Sequence, residues 1–239
     1  MAGEHIVKSF DESLLRLSET VQRMGGLAEA QLAGAVDAVV RRDAELAARV
    51  VEGDPNVDEL ERQIEEMVMR LLALRAPVAS DLRLVLGTLR IASDIERIAD
   101  YAKNVAKRAI ALAQIAPLKP THAIPRMGKV VQEMIKDVLD AYANRDVERA
   151  DAVWARDEEL DEMYSSLFRE LLTYMMEDAR NITGSTHLLF IAKNIERIGD
   201  HATNVAEQVH FLVTGTPIGA ARPKGDETSY AVVRPGPGA

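Results

Sequence analysis

Glu96 and Asp100 stand in the run IERIAD, residues 95–100, and Glu196 and Asp200 stand in IERIGD, residues 195–200. Four residues on a helix is just over one turn, so each Glu–Asp pair projects from one face with its carboxylates about 6 Å apart along the axis. Asn104 and Asn204 continue the two stripes. Like charges at this spacing cost an isolated helix about 0.2–0.5 kcal/mol. A cost written twice points to a use, and the use open to paired carboxylates is to hold a cation. The competing reading is a plain solvated face. With Ile95 and Ile98 on the apolar seam, Glu96, Asp100 and Asn104 fall on the outer side, where charge is ordinary.

A second set of acids favours the cation. Asp54 and Asp58 precede the first copy, and Asp157 and Asp161 precede the second. About a turn at position 77, Asp58 and Glu96 lie equally far on either side, as do Asp54 and Asp100. The pairs 161/196 and 157/200 share one midpoint, 178.5, in the second half. Equal rise per residue sets such pairs level on antiparallel neighbours with axes about 8–10 Å apart. Four carboxylates therefore converge in each half, and a cation between them would relieve their repulsion. GDPNVDEL also reads as a helix restart with Asp54 as N-cap and Pro55 in the first turn. ARDEELD, its counterpart, has no Gly or Pro yet keeps Asp157, so capping explains one copy only. Oxygen donors without cysteine point to iron, manganese, magnesium or calcium, with zinc still open. His201, beside Asp200, is a further candidate ligand in the second copy alone; Tyr101 takes its place in the first. Arg97 and Arg197 are candidate counter-ions that would lessen the need for metal.

The elements that position these residues are helices. Ile91, Ile95, Ile98, Ala102, Val105, Ala109 and Leu112 recur at spacings of four and three, and Ile191, Ile195, Ile198, Ala202, Val205, Val209 and Leu212 repeat the pattern. Such a seam belongs to a helix packed along its length on other helices. Pro77 marks one helix–helix turn, and Pro117, Pro120 and Pro125 divide the chain near its middle. Asp43 and Asp146 are N-cap candidates. The expectation is all-α: six long helices at about 4–41, 43–75, 78–114, 122–144, 146–178 and 182–214. They form two tandem three-helix bundles, 1–116 and 126–215, joined by a linker at 117–125. Residues 91–106 match 191–206 at 11 of 16 positions, so the whole unit is repeated rather than one motif. Residues 216–239, rich in Gly and Pro, are expected to be a disordered tail.

Composition narrows the function. The 38 acids outnumber the 29 bases, and no dense basic block offers a nucleic-acid footprint. There is no cysteine, no signal-peptide pattern at the start and no apolar run near the roughly 18–20 residues that span a bilayer. The expectation is a soluble, intracellular protein.

RAPVASDLRLVLGTLRIASDIERIADYAKNVA and LLFIAKNIERIGDHATNVAEQVHFLVTG together resemble the two halves of the PhoU family, the phosphate-specific transport system accessory proteins. The resemblance runs over roughly residues 5–215, in order. It implies two repeated three-helix bundles, often paired as a homodimer, with E(D)xxxD motifs that carry iron first and otherwise manganese, magnesium, zinc or calcium. Carried onto this chain, Asp54, Asp58, Glu96 and Asp100 would form one metal site, and Asp157, Asp161, Glu196 and Asp200 the other. Ala99 and Tyr101 depart from Gly199 and His201, so the two sites are expected to differ in occupancy. The resemblance further implies a cytoplasmic negative regulator of the phosphate-starvation response, peripheral to the inner membrane. It would couple the ATPase subunit of the Pst phosphate ABC transporter to a PhoR-type sensor histidine kinase, and would not be an enzyme.

Two other classes compete. A carboxylate-bridged di-iron protein needs two ExxH motifs on core-facing helices. The chain offers Glu207 to His210, whose repeat counterpart is Lys107 to Ile110, so the pattern fails. A metal-free helical adaptor would use the same bundle, with the carboxylates as a docking face for basic partners.

Overall fold

The computed structural model describes residues 2–75, 77 and 79–219. Eight helices make six arms: α1 (Ala2–Arg41), α2 (Ala44–Gly53) running into α3 (Pro55–Arg75), α4 (Ser80–Ala113), α5 (Ala123–Asn144), α6 (Val147–Trp154) running into α7 (Asp157–Glu177), and α8 (Ile182–Thr214). Short 3-10 turns at Lys119–His122 and Ala179–Asn181 lead into α5 and α8. No strand occurs among the described residues. No helix among them is long and apolar enough to cross a membrane. From residue 220 the expected tail lies outside the described residues.

The arm ends follow the sequence closely. Arg42 and Arg145 take left-handed backbone conformations, with φ of 57° and 55°. The next residue in each case is the N-cap: Asp43 accepts from Leu46 N at 2.8 Å and Asp146 from Arg149 N at 3.0 Å. Each bond satisfies an amide that the first helical turn leaves open. The last arm ends at Gly215, whose φ of 79° suits glycine and whose N–H reaches Phe211 O at 2.9 Å.

The second and fifth arms are each broken, where the periodicity predicts continuous helices over 43–75 and 146–178. Pro55 brings no amide hydrogen, so α2 stops at Gly53 and α3 starts anew. The break between α6 and α7 has no proline. There the turn tightens, with Arg156 N bonded to Val153 O three residues back. Residue periodicity cannot register such a break because the apolar face carries on across it.

The core lies where the seams place it. Ile91, Ile95, Ile98, Ala102, Val105 and Ala109 are buried, and so are Ile191, Ile195, Ile198, Ala202, Val205 and Val209. In the first half α1, α2/α3 and α4 pack together, and in the second α5, α6/α7 and α8 do. The most extensive pairing of all joins the halves, α4 lying antiparallel to α8, with α1 meeting α5 beside it. One continuous apolar cluster therefore runs through both bundles. Glycine permits two of the close approaches. A Cβ at Gly87 would stand 2.3 Å from Leu212 Cδ2, and one at Gly199 would stand 2.3 Å from Leu160 Cδ2.

These contacts separate two kinds of glycine. Gly199→Val drives a branched side chain into buried Leu160 and is expected to destabilise the protein by about 1–3 kcal/mol. Gly26→Ala, inside α1 with nothing near its Cβ, is expected to stabilise by up to about 1 kcal/mol. Urea denaturation of the two variants checks both signs.

Candidate functional site

The flank of α4 that carries Glu96 and Asp100 faces α3, and the equivalent flank of α8 faces α7. This corrects the outer-face placement. Glu96 and Asp100 are half-buried, while Glu196 is 5% exposed, Asp157 2% and Asp161 4%. The reason is packing: α4 and α8 each touch neighbours on several sides, so the buried sector is wider than one seam. The acids sit at the edge of that sector, in two bays.

In the first bay Asp54 and Asp100 are level, as the hairpin arithmetic requires, and what joins them is a lysine. Lys103 Nζ lies 2.5 Å from Asp54 Oδ2 and 2.5 Å from Asp100 Oδ1. Asp54 is not a side-chain cap. It is buried, its Oδ2 is taken by Lys103, and its Oδ1 has no hydrogen-bond partner. Burial alone would lower the Lys103 pKa, but its bonds to Asp100 and Asp54 outweigh that and hold it above the usual lysine range. Asp58 is exposed, and its carboxyl is pushed up by partial burial and by the charges of Asp54 and Asp100, against Lys103. Glu96 is pushed up to about 7, first by burial, then by Asp100 and Glu61, with Arg97 opposing. The acids that bear on Glu96 are therefore Asp100 and Glu61 rather than Asp58. Glu61 lies three residues beyond Asp58, on the same face of α3; that spacing was the available signal.

The second bay repeats the acids with different counter-charges. Glu196 is pushed up to about 7 by burial, with Asp200 and Asp161 adding to it and Lys193 opposing. Lys193 Nζ donates to Glu196 Oε1 at 2.8 Å, while Glu196 Oε2 is buried with no hydrogen-bond partner. Thr203 Oγ1 donates to Asp157 Oδ1 at 3.3 Å. By the repeat, Thr203 stands where the first half has Lys103, and Lys193 stands where it has Ser93. The ammonium thus enters each bay from the opposite end of the motif. Sequence symmetry among the acids conceals this, because lysine at i+3 or i−3 reads as an ordinary helical surface residue.

The other candidates lie elsewhere. His201 Nδ1 bonds Asp94 Oδ1 at 2.7 Å on the α4–α8 seam, away from Asp157 and Asp161. His210 pairs with Asp151 at 2.8 Å and Glu207 accepts from Trp154 Nε1 at 3.1 Å, so the single ExxH motif is spent on separate ties to α6. Among the described residues, no three acidic or histidine side chains stand together as a ready-made grip for one ion. The donor set nonetheless suits a hard cation. It is all oxygen, two buried carboxylate oxygens lack partners, and both raised glutamates would be lowered by an added positive charge.

The fold and the bays define a class: a duplicated three-helix bundle with an E(D)xxxD carboxylate bay in each copy. The PhoU domain family matches residues 21–109 and 124–209, once per half. The chain belongs to the PhoU family. It is 53% identical over 227 residues to the phosphate-specific transport system accessory protein PhoU homolog of Caulobacter vibrioides, covering 95% of this chain and 99% of the relative. The Rhizobium meliloti homolog is 50% identical, covering 96% and 97%. The crystal structure of PhoU from Pseudomonas aeruginosa superposes with a TM-score of 0.84 at 41% identity, covering 87% of this chain and all of that one.

The raised glutamate makes a pH prediction. Between its ordinary value of 4.5 and about 7, Glu196 keeps a proton in the folded protein that the unfolded chain has lost. Its stabilising share is complete below pH 4.5 and is lost as pH rises through 7. Glu196→Gln is therefore expected to gain on the wild type as pH rises from about 5 to about 8, by at most about 3 kcal/mol, since the Lys193 bond also changes. Urea titrations at the two pH values would show it. Parallel curves would refute the assignment.

Proposed function

We propose that this protein is an accessory regulator of a phosphate-specific transport system. In this reading it couples the cytoplasmic ATPase subunit of a Pst-type transporter to a PhoR-type histidine kinase and keeps phosphate-starvation genes off when phosphate is plentiful. It acts from the cytoplasm, reaches the membrane through those partners, and works as a homodimer without catalysing a reaction. The carrying observation is likeness over nearly the whole length, at half identity, to relatives named for that system. Deleting the gene is expected to derepress alkaline phosphatase in phosphate-rich medium, and the intact gene is expected to restore repression. Unchanged phosphatase activity would count against the role.

The bays supply the second part of the reading. Asp54, Asp58, Glu96 and Asp100 would hold a metal in the first half, and Asp157, Asp161, Glu196 and Asp200 in the second, with iron the leading candidate. A bound cation would supply positive charge that neutralises the bay. Asp54 and Glu196 would each bring a buried oxygen that is now unpartnered, and Lys103 would turn outward to make room. The metal-free adaptor remains the second reading because of one observation: Lys103 already provides a cation between Asp54 and Asp100. Elemental analysis of untagged protein purified without chelator separates the two. In the metal reading, Glu96→Ala/Asp100→Ala and Glu196→Ala/Asp200→Ala each lose their share of bound metal. A wild type that stays metal-free after reconstitution with iron, manganese or magnesium leaves the adaptor.

A further inference from the structure

The opposite flank of α4 carries a different pattern. Arg83, Arg90, Tyr101 and Arg108 are spaced 7, 11 and 7. At 100° per residue they fall within about 20° of one line along the helix, which spans about 37 Å. On α8, which lies alongside and antiparallel, Phe190 and Arg197 are again seven apart. Three of these arginines lie over aromatic rings and tie the helices together. Arg108 Cζ is 4.1 Å from the Phe190 ring centroid, Arg197 is 5.6 Å from that of Tyr101, and Arg83 is 5.9 Å from that of Phe211. Arg90 and Arg197 are exposed, and Phe190 is 47% exposed.

Among the described residues none of Arg83, Arg90, Arg108 and Arg197 sits in a salt bridge, although acids outnumber bases in the chain. The acid within the strip, Asp94, is already held by His201 and by Asn204 Nδ2 at 3.2 Å. The strip is therefore a basic face on an acidic protein. A guanidinium lying over a ring loses less freedom on binding and keeps its in-plane N–H donors for a carboxylate fork.

We propose that the α4–α8 face is a docking surface for an acidic α-helix of another protein. The strip follows the seam of two antiparallel helices, with seven-residue steps at Arg83–Arg90 and Tyr101–Arg108 on one and at Phe190–Arg197 on the other, so a third helix laid along the seam would meet successive residues about two turns apart. Glutamates on one face of that helix would meet the arginines, and apolar residues beside them would cover Phe190. Arginines resting on rings suit planar carboxylates better than the point-charge contacts a lipid surface needs. The proposal goes beyond the phosphate-signalling reading and would survive its failure, since it concerns the chemistry of this face rather than the pathway.

The probe is a fluorescein-labelled four-heptad peptide, helical by circular dichroism, with Glu and Leu on one face. Its binding to the full chain is read by fluorescence anisotropy. Arg90→Glu/Arg197→Glu is expected to weaken binding at least about tenfold, while Arg49→Glu/Arg169→Glu, exposed on α2 and α7, changes it by less than about twofold. Circular dichroism of both variants checks that they fold. A peptide with Lys for Glu is expected to bind the first variant and not the wild type. Three results would overturn the proposal. One is no binding, or equal binding by both variants. Another is preference for vesicles that are roughly one-third phosphatidylserine over the peptide. The last is a change of oligomeric state in Arg90→Glu/Arg197→Glu, which would make the face a contact between copies of this chain.

Discussion

The long antiparallel contact of α4 with α8 is the constraint on which the rest depends. Small residues keep both helices slim where their neighbours pack: Gly87 receives Leu212 of α8, Gly199 receives Leu160 of α7, and Ala92, Ala99, Ala102, Ala106, Ala192, Ala202 and Ala206 are all buried. Helices with such faces approach closely, and every other arm packs against one or both of them. Because successive residues turn by 100°, fixing the isoleucine seam also fixes both flanks. One flank must present Glu96, Asp100 and Lys103 to α3; the other must set Arg83, Tyr101 and Arg108 half-buried along the edge of the contact with α8 and leave Arg90 exposed. Acidic bay and basic strip are thus set by a single packing decision.

The bays show how a bundle tolerates acids at the margin of its core. A buried carboxylate is costly unless it is paired, hydrogen-bonded or protonated. All three remedies appear: Asp54 is paired with Lys103, Asp157 accepts from Thr203, and Glu96 and Glu196 hold their protons nearer to neutrality. Two of them are incomplete, since one oxygen of Asp54 and one of Glu196 still lack partners.

Much of this was legible in the sequence, for identifiable reasons. The 3.5-residue seam gave the arms and their buried residues, and the Arg–Asp connectors gave two helix starts to the residue. Counting outward from the turns correctly set Asp54 level with Asp100. What escaped was lateral. A wheel drawn from Ile95 and Ile98 alone puts Glu96 outside, because it cannot show that α3 leans on that flank. Lys103 and Glu61 escaped for the same reason, as each matters only through a neighbour on another helix. The break before α7 escaped because Ala155 and Arg156 are good helix formers, and only the tightened turn at Val153 reveals it.

The unequal lysines have a consequence for how such a protein can evolve. A symmetric pair of identical three-helix subunits would carry a lysine at both equivalent positions or at neither, since each substitution arrives twice. Joining the copies into one chain removes that restriction. Lys103 can persist where its counterpart is Thr203, and Lys193 where its counterpart is Ser93. The duplicated chain thereby gains two inherited sites that selection can tune separately, within a core that still requires both halves.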